Sequence, residues 1–465
     1  MEILYHGEDF CVEYYKSNSD TLVYTFNSLG YRDYTNPSFA QKFVTDNGMD
    51  LIAFKTIKDN WFQNVTRDAL ETVSTFALSK GYEKIITYGA SMGGYASIVF
   101  SKMLMADIVI AVAPQYAIDQ NYDRRWANKA KNFKWIHDIE AYRPYNASFY
   151  ILYDNHFKPD VEHVFRFQKL LNKGNVELIK CPHSEHHPAQ YLEEIGVLRE
   201  LILSIINQNS SWTQLDLFSG RRKSKRYFIS VAKKLSKRGK LHLASSILDC
   251  ALSLDSDYSD SLHQKSLILW KLNFLAEAIR LTKKAIGLSP SDAGYYHHLS
   301  VLLGKLKDHD EAIAASHQAI SLNSEDAGYH HHLSVLLGKL KNYEEAISAS
   351  HRAVSLNPDD AGYRHHLSTV LGRAGRLEEA VGASKDAIDL NAERASYHHH
   401  LSVLLGKLKN YEEAISASHR AVSLNPDDAG YRHHLSAVLG RAGRLEEAVG
   451  VSKDAIDLTA ERANY

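Results

Sequence analysis

The stretch KIITYGASMGGYAS (residues 84–97) decides the fold of the N-terminal half of this 465-residue chain. KIITYG is a continuous apolar run that predicts a buried strand, and GGYAS opens a helical pattern directly after it. The turn between them, GASMGG, places Ser91 at the centre of a G-x-S-x-G motif. Such a turn exposes the serine hydroxyl at a helix N-terminus, where the helix dipole favours developing negative charge. Ser91 is therefore the candidate nucleophile, and the alternative is a strand–helix turn that only packs tightly.

Strand and helix patterns alternate on both sides of this stretch, through residues 1–207. Further apolar runs predict buried strands at residues 21–26, 50–55, 107–112, 148–153 and 176–181. Residues 3–16 predict an antiparallel hairpin, and residues 189–206 predict one long helix. Such alternation is typical of an α/β domain with a mostly parallel sheet, whose ligand site lies at the carboxyl ends of the strands.

A serine nucleophile needs a base and an acid that orients the base. The candidate bases follow the last predicted strand and are His183, His186 and His187. Asp154 directly follows the preceding strand, and Asp160 stands just before the next helical pattern. Asp160 is the favoured acid, although its position also suits a helix N-cap. Asp154 remains the alternative, or only closes the strand.

The negative oxygen of an acyl-transfer intermediate needs two backbone N–H donors. One is the amide of Met92, which follows the candidate nucleophile. The second is expected from the loop after residues 21–26, at Asn27 or Ser28. Trp61 and Gln63 follow the next strand and are expected in the same substrate cleft, although Trp61 suits the core equally well.

Residues 1–207 resemble a small α/β-hydrolase domain in strand order, in the GASMGG turn and in the chain order Ser…Asp…His. The segment EHHP is similar to the G-H-x-P pattern of that family. The match falls on His186, with Glu185 in place of the usual glycine. His186 is therefore the favoured base, with His187 and His183 as alternatives. The resemblance implies acyl transfer through an acyl-serine without a cofactor, and it fixes no substrate.

Residues 115–147 occupy the place where this resemblance implies a substrate-shaping cap. The basic and aromatic residues of the segment are Arg124, Arg125, Lys129, Lys131, Lys134, Trp126 and Trp135. They favour an anionic or sugar-like ligand, so a small acyl or glycan-type substrate is expected. The alternative is a basic surface helix.

The second half of the chain is a strict repeat of 34 residues, marked by DAGY at 292, 326, 360 and 428 and by RASY at 394. Units start near residues 224, 258, 292, 326, 360, 394 and 428, after a polar and basic linker over 208–223. This period, with paired amphipathic helices, resembles the tetratricopeptide repeat. The resemblance implies an all-α solenoid whose first helices line a groove for a protein or peptide partner.

Paired histidines recur in the predicted first helix of each clear unit. The first members of the pairs are His297, His331, His365, His399 and His433. A basic residue follows seven positions after each second histidine, at Lys305, Lys339, Arg373, Lys407 and Arg441. These residues predict a groove that contacts a polar or anionic partner, unless duplication only copied a neutral packing histidine. Adjacent histidines on a helix point about 100° apart and chelate poorly, so no metal site is expected.

Composition limits the class of protein further. Lys+Arg at 54 against Asp+Glu at 55 gives a net charge of −1, which indicates no bulk attraction to nucleic acid or membrane. Cys11, Cys181 and Cys250 lie far apart and favour a reducing compartment. Neither a signal peptide nor a transmembrane run is visible, so a soluble cytoplasmic protein is expected.

Three classes of function fit these patterns. The first is an active serine hydrolase tethered to a repeat scaffold that recruits a protein or presents a substrate. The second is an interaction protein with a non-catalytic hydrolase fold, and the third is an acyltransferase acting on a glycan or peptide acceptor. A full set of candidate Ser, Asp and His side chains favours the first.

Overall fold

The computed structural model describes residues 1–31, 33–118, 123, 126, 134–142, 146–171 and 173–463. The predicted cap residues Arg124, Arg125, Lys129 and Lys131 lie outside these ranges. The chain forms two compact units, Met1–Leu272 and Asn273–Tyr465. The division falls later than the predicted linker over 208–223, because the helix Lys225–Lys237 packs on the helix Pro188–Glu194, and the helices Leu241–Leu254 and Ser259–Lys271 pack on Lys225–Lys237. Among the described residues, no helix combines the length and the apolar content that a membrane span requires.

The first unit contains an eight-stranded sheet with the order β1-β2-β4-β3-β5-β6-β7-β8. Its strands are β1 Glu2–His6, β2 Phe10–Tyr15, β3 Thr21–Phe26, β4 Asp50–Thr56, β5 Lys84–Ala90, β6 Ile108–Val112, β7 Ser148–Tyr153 and β8 Val176–Lys180. Strand β2 pairs antiparallel with β1 and β4, and the pairs from β4 to β8 are parallel. The predicted α/β region with a mostly parallel sheet is thus confirmed.

Helices cover both faces of the sheet. They are α1 Gln41–Asp46, α2 Arg67–Lys80, α3 Met92–Val99, α4 Lys158–Leu170, α5 Pro188–Glu194 and α6 Leu198–Ile206. Successive side chains of β6 alternate between the two apolar clusters: Val109 belongs to the cluster with α2, α3 and α4, and Ile110 to the cluster with α1, α5 and α6. This alternation fixes which helices lie on each face.

The single helix predicted over 189–206 is wrong, since α5 and α6 are separate helices. The chain turns at Gly196, which has φ +84°, and the amide of Gly196 donates to Glu193 O at 2.9 Å. Glycine adopts this left-handed conformation without steric cost, so it ends α5.

The rest of the chain is a series of helix pairs. Their helices are α7 Lys225–Lys237, α8 Leu241–Leu254, α9 Ser259–Lys271, α10 Leu275–Leu288, α11 Ala293–Leu306, α12 His309–Leu322, α13 Ala327–Lys339, α14 Tyr343–Leu356, α15 Ala361–Ala374, α16 Leu377–Leu390, α17 Ala395–Lys407, α18 Tyr411–Leu424, α19 Ala429–Arg441 and α20 Leu445–Ala463. The motif DAGY marks the start of a first helix, because its aspartate is the N-cap. Asp326, for example, accepts from the amides of Gly328 at 2.8 Å and Tyr329 at 3.3 Å.

The second histidine of each pair joins consecutive helix pairs. His366 Nε2 lies 3.0 Å from Ser334 Oγ, and Ser334 also donates to Ala346 O and contacts Ser350 Oγ, both at 2.7 Å. The same histidine–serine contact recurs at 3.1 Å for His332–Ser300, His400–Ser368 and His434–Ser402. A buried polar ladder therefore runs through the array, linking each pair to the next.

The first histidine of four pairs packs against the following pair, which corrects the prediction of an open polar groove lining at these positions. His331, for example, has its ring centre 5.1 Å from that of Tyr363 and 4.5 Å from that of His366. His297, His365 and His399 make equivalent contacts. Only His433, in the last first helix, is exposed among the five. The first histidine of a pair thus contacts the following unit, as His331 contacts Tyr363, whereas the second contacts the preceding unit, as His332 contacts Ser300.

Burial lowers the pKa of the second histidines, and nearby histidines and basic side chains lower it further. The pKa falls to about 4 for His332, His400 and His434 and to about 3 for His366. Burial also lowers the pKa of His297, His331, His365 and His399. These imidazoles are therefore neutral at pH 7 and act as packing and hydrogen-bonding groups.

Acid should destabilise the array. A histidine whose native pKa lies below its unfolded value of about 6.5 stabilises the native state fully above pH 6.5, and this stabilisation is lost as the pH falls toward the native pKa. We expect the Tm of the repeat transition in the full chain, followed by far-UV circular dichroism, to be at least about 5 °C lower at pH 5 than at pH 7.5, since 1 kcal/mol shifts Tm by roughly 2–4 °C for a unit of the size of Asn273–Tyr465.

The matched control replaces His332, His366, His400 and His434 by glutamine, which keeps a donor toward serine and does not titrate. The pH dependence of Tm should be smaller in this variant. An equal pH dependence in the two proteins would contradict a titrating ladder.

Candidate active site

Ser91 lies in a strained turn at the carboxyl edge of the sheet. It is the N-cap of α3 and has φ 55° and ψ −115°, a conformation that residues with a side chain rarely adopt. Its amide donates to Val112 O at 2.8 Å, which fixes the turn to the end of β6. The side chain therefore projects from the edge where the parallel strands end.

Two glycines make this turn possible because backbone approaches backbone closely. A Cβ on Gly89 would lie 2.1 Å from Gly93 O, and a Cβ on Gly93 would lie 2.3 Å from Phe26 O. Neither position accepts a side chain without displacing the backbone. Glycine is thus required at positions 89 and 93 because α3 packs tightly against the ends of β3 and β5.

Three of the predicted side chains meet in one hydrogen-bonded chain. His186 Nε2 lies 2.9 Å from Ser91 Oγ, and His186 Nδ1 lies 2.8 Å from Asp160 Oδ1. Asp160 is 1% exposed at the start of α4, and His186 lies in the loop between β8 and α5. A carboxylate on Nδ1 fixes the tautomer in which Nε2 accepts a proton.

The alternative residues serve other positions. Asp154 is fully buried and accepts from the amides of His156 and Glu185, both at 2.8 Å. It therefore braces the loop that carries His186. His187 is exposed beside His186, with ring centres 6.3 Å apart.

Two lysines of helix α7 also contact the loop that carries His186. Lys233 Nζ lies 2.7 Å from Glu185 Oε2, and Lys234 Nζ lies 2.8 Å from His183 Nδ1. His183 and Glu185 both have positive φ, at 64° and 52°. The loop thus takes an unfavourable backbone conformation on either side of Ser184, and contacts from Asp154 and α7 stabilise it.

The backbone amides proposed as oxyanion donors, those of Met92, Asn27 and Ser28, differ in whether they already donate a hydrogen bond elsewhere. Met92 is the first residue of α3, so its amide lies at the helix N-terminus beside Ser91. The amide of Asn27 donates to Phe54 O at 3.3 Å, and its side-chain Oδ1 accepts from the Thr56 amide at 2.7 Å. Asn27 is therefore a structural link between β3 and β4, which leaves Ser28 as the candidate from that loop.

The cleft predicted around Trp61 and Gln63 is corrected by their burial, at 0% and 2% exposure. Trp61 packs edge to face on Trp126, with ring centres 5.8 Å apart. Gln63 Oε1 accepts from the amides of Ile136 and His137, both at 2.7 Å. Gln63 thus satisfies two backbone donors of the segment 134–142, a role that its position in the sequence does not reveal.

Gln115 is a site residue that the sequence reasoning missed. Its side chain is fully buried, and Oε1 lies 3.1 Å from Ser91 Oγ. Gln115 follows β6 at the same carboxyl edge, in the segment VAPQ. The available signal was therefore an uncharged polar side chain shortly after a central parallel strand.

A cavity of about 290 Å³ is lined by residues that come shortly after Ser91 and Gln115 in the sequence. Its walls include Tyr95 on α3, Tyr116 directly after Gln115, and Trp135. Asp138 and Glu140 add carboxylates, and Tyr116 Oη donates to Glu140 Oε1 at 3.1 Å. The described wall is thus aromatic and acidic.

The predicted cations of the array are exposed in the last turn of each first helix. They are Lys305, Lys339, Arg373, Lys407 and Arg441. None of them forms an ion pair with a residue that the structure describes. By contrast, cations on second helices are paired, as in Lys385–Glu413 at 3.1 Å and Arg352–Glu325 at 2.9 Å.

Comparison with known proteins identifies the repeats. Residues 293–326, 327–360 and 395–428 match the family model of the tetratricopeptide repeat. No curated protein matches the chain. Similar solved structures include YrrB, described as a TPR protein with an unusual peptide-binding site, at 22% identity over 40% of this chain and 96% of that chain, with a TM-score of 0.36.

Two further similar structures are bacterial proteins. MamA from Desulfovibrio magneticus is 20% identical over 37% of this chain and 97% of that chain, with a TM-score of 0.35. The Pseudomonas aeruginosa protein pilF is 17% identical over 46% of this chain and 97% of that chain, with a TM-score of 0.40. From the family match, the C-terminal half of this chain carries tetratricopeptide repeats.

Proposed function

We propose that the N-terminal part is a serine hydrolase of the α/β-hydrolase type. The observation that carries this proposal is the hydrogen-bonded chain from Ser91 through His186 to Asp160. Two further features support it. The serine stands in a strained strand–helix turn, and the sheet order with an antiparallel β2 resembles the α/β-hydrolase arrangement.

In the proposed reaction, Ser91 Oγ attacks the acyl carbon of an ester while its proton passes to His186 Nε2. Asp160 stabilises the imidazolium that forms, and burial of its carboxylate strengthens this interaction. His186 then gives the proton to the leaving oxygen. A water molecule releases the acyl group from Ser91 by the reverse sequence of proton transfers. The amides of Met92 and Ser28 are the proposed donors to the negative oxygen.

The cavity lined by Tyr95, Tyr116 and Trp135 suggests the size and chemistry of the substrate, because Tyr95 follows Ser91 by one helical turn and Tyr116 directly follows Gln115. A volume of about 290 Å³ accommodates a short acyl group or a single sugar ring. Aromatic walls from Tyr116 and Trp135 with the carboxylates of Asp138 and Glu140 suit the apolar faces and the hydroxyl groups of a sugar. Transfer of the acyl group to a glycan hydroxyl, in place of water, is therefore the second candidate activity.

The repeats form an interaction scaffold, and we propose that their first helices bind an acidic segment of a protein partner. Asp and Glu are absent from residues 293–306, 327–339, 361–374, 395–407 and 429–441. The second helices of the same units carry acidic residues in their first turns. Positive charge on the first helices is thus not balanced by acids on those helices, and an acidic segment complements the five exposed cations.

Substitutions in the hydrogen-bonded chain should separate chemistry from stability, as measured by hydrolysis of p-nitrophenyl acetate. Ser91→Ala should lower kcat/KM by about 10³-fold or more, and Asp160→Asn should lower kcat by up to about 10⁴-fold, because a neutral amide does not stabilise the imidazolium. Asp154→Asn should instead lower Tm, since Asp154 accepts two backbone N–H groups of the His186 loop.

Thermal melts of all three variants serve as the folding control. Activity equal to wild type in folded Ser91→Ala protein would refute the hydrolase proposal. A larger loss of kcat in Asp154→Asn than in Asp160→Asn would assign the acid to Asp154.

Binding of a fluorescent deca-glutamate peptide to the full chain tests the acidic-partner proposal by anisotropy. Affinity should fall at least about tenfold between 50 and 300 mM NaCl, since exposed charges are screened. Replacing Lys305, Lys339, Arg373, Lys407 and Arg441 by glutamine should abolish binding.

The matched control replaces Arg280, Lys283, Arg352, Lys385 and Arg420 by glutamine, because these five cations are already paired with glutamates. This variant should bind the peptide as wild type does. Equal losses in the two variants would show that net charge alone governs binding.

A further inference from the structure

Gln115 contacts the oxygen at which the proposed chemistry takes place. Its Oε1 lies 3.1 Å from Ser91 Oγ, the same oxygen that lies 2.9 Å from His186 Nε2. The other end of its carboxamide, Nε2, is buried and has no hydrogen-bond partner among the described residues. Buried amide groups are normally paired, and an unpaired one destabilises the native state. The position of this side chain therefore requires an explanation other than stability.

The backbone around Gln115 is fixed on both sides. Ala113 has φ 43°, and its amide donates to Leu152 O at 2.8 Å. The absence of a side chain on Gly94 lets Pro114 approach, since a Cβ there would lie 3.2 Å from Pro114 Cα. On the other side, the amide of Tyr116 donates to His163 Nδ1 at 3.2 Å. A strained segment held at so many points keeps its side chain in one place.

His163 is itself held in place. Its Nε2 lies 3.1 Å from Asp123 Oδ2, and both side chains are buried. Because Nδ1 accepts from Tyr116, Nε2 carries the proton and donates to the carboxylate. His163 also lies on α4, the helix that begins beside Asp160. The segment that carries Gln115 is thus anchored to the helix that carries the proposed acid.

The single proton of the Ser91 hydroxyl determines which end of the Gln115 carboxamide can hydrogen-bond to Ser91 Oγ. The hydroxyl has one proton, and in the reactive state it donates that proton to His186 Nε2. Oε1 of Gln115 and Oγ of Ser91 would then face each other as two acceptors with no proton between them. Rotation of the carboxamide by 180° replaces Oε1 by the N–H donor and removes this repulsion.

We propose that Gln115 is a catalytic residue whose side-chain N–H donates to Ser91 Oγ. This inference rests on the proposed serine hydrolase. During acylation the donor stabilises negative charge on Oγ as its proton passes to His186. During deacylation the C–Oγ bond breaks, the electron pair goes to Oγ, and His186 returns a proton to it. The Gln115 N–H stabilises Oγ as a leaving group in that step.

Two substitutions test the role in the full chain with p-nitrophenyl acetate. Gln115→Met has a similar size and no donor, so kcat should fall about 10²-fold, as for loss of other preorganised donors. Its Tm should equal or exceed that of wild type, because the substitution removes an unpaired buried amide. A residue with a purely structural role would instead lose Tm.

Gln115→Glu supplies a readout that packing alone would not produce. An ionised carboxylate offers only acceptors and repels a negative Oγ, whereas a protonated carboxyl donates. Burial raises the pKa of a carboxyl. The ratio of kcat in this variant to kcat in wild type should therefore rise as the pH falls from 8 to 5.

The outcomes distinguish this inference from the proposed function. Gln115→Met with kcat within threefold of wild type, or a pH-independent ratio for Gln115→Glu, would overturn the role of Gln115 while Ser91→Ala remains inactive. Wild-type protein that hydrolyses the ester no faster than Ser91→Ala would overturn both proposals.

Discussion

The close approach of helix α3 to the ends of β3 and β5 is the constraint on which the candidate site depends. Gly93 allows the backbone of α3 to contact the end of β3, and Gly89 allows the turn before it. Ser91 is thereby forced to positive φ, with its hydroxyl directed away from the packed backbone. The parallel register of β5, β6 and β7 then brings Ser91, Gln115 and the start of α4 to one edge.

The histidine of the site depends on a second set of contacts that extends beyond the sheet. Asp154 and the lysines of α7 hold the His186 loop through Glu185 and His183. Helix α7 comes from the repeat-like part of the sequence, yet it belongs to the same compact unit as the sheet. The first unit therefore includes helices that the period of 34 residues assigns to the repeats.

Much of this arrangement follows from the sequence, because buried parallel strands leave continuous apolar runs and TPR helices leave a fixed period. The sequence favoured His186 over His183 and His187 only through the resemblance of EHHP to the G-H-x-P pattern. The contacts of His186 with Ser91 and Asp160 depend on a loop in which His183 and Glu185 have positive φ. Nor did it reveal Gln115 or the burial of Gln63, since both depend on backbone groups far away in sequence. The local sequence pattern predicts the helices and strands. Hydrogen bonds between residues that are distant in the sequence become visible only in the folded structure.

The most direct test of the central claim is covalent labelling of the full chain by a fluorophosphonate, followed by mass spectrometry of its peptides. A serine activated by His186 should react at Ser91, and Asp160→Asn should slow the labelling while the protein remains folded. The account predicts a single modified serine, in the peptide that contains GASMGG. Absence of label at Ser91 in folded wild-type protein, or labelling that is unchanged in Asp160→Asn, would contradict it.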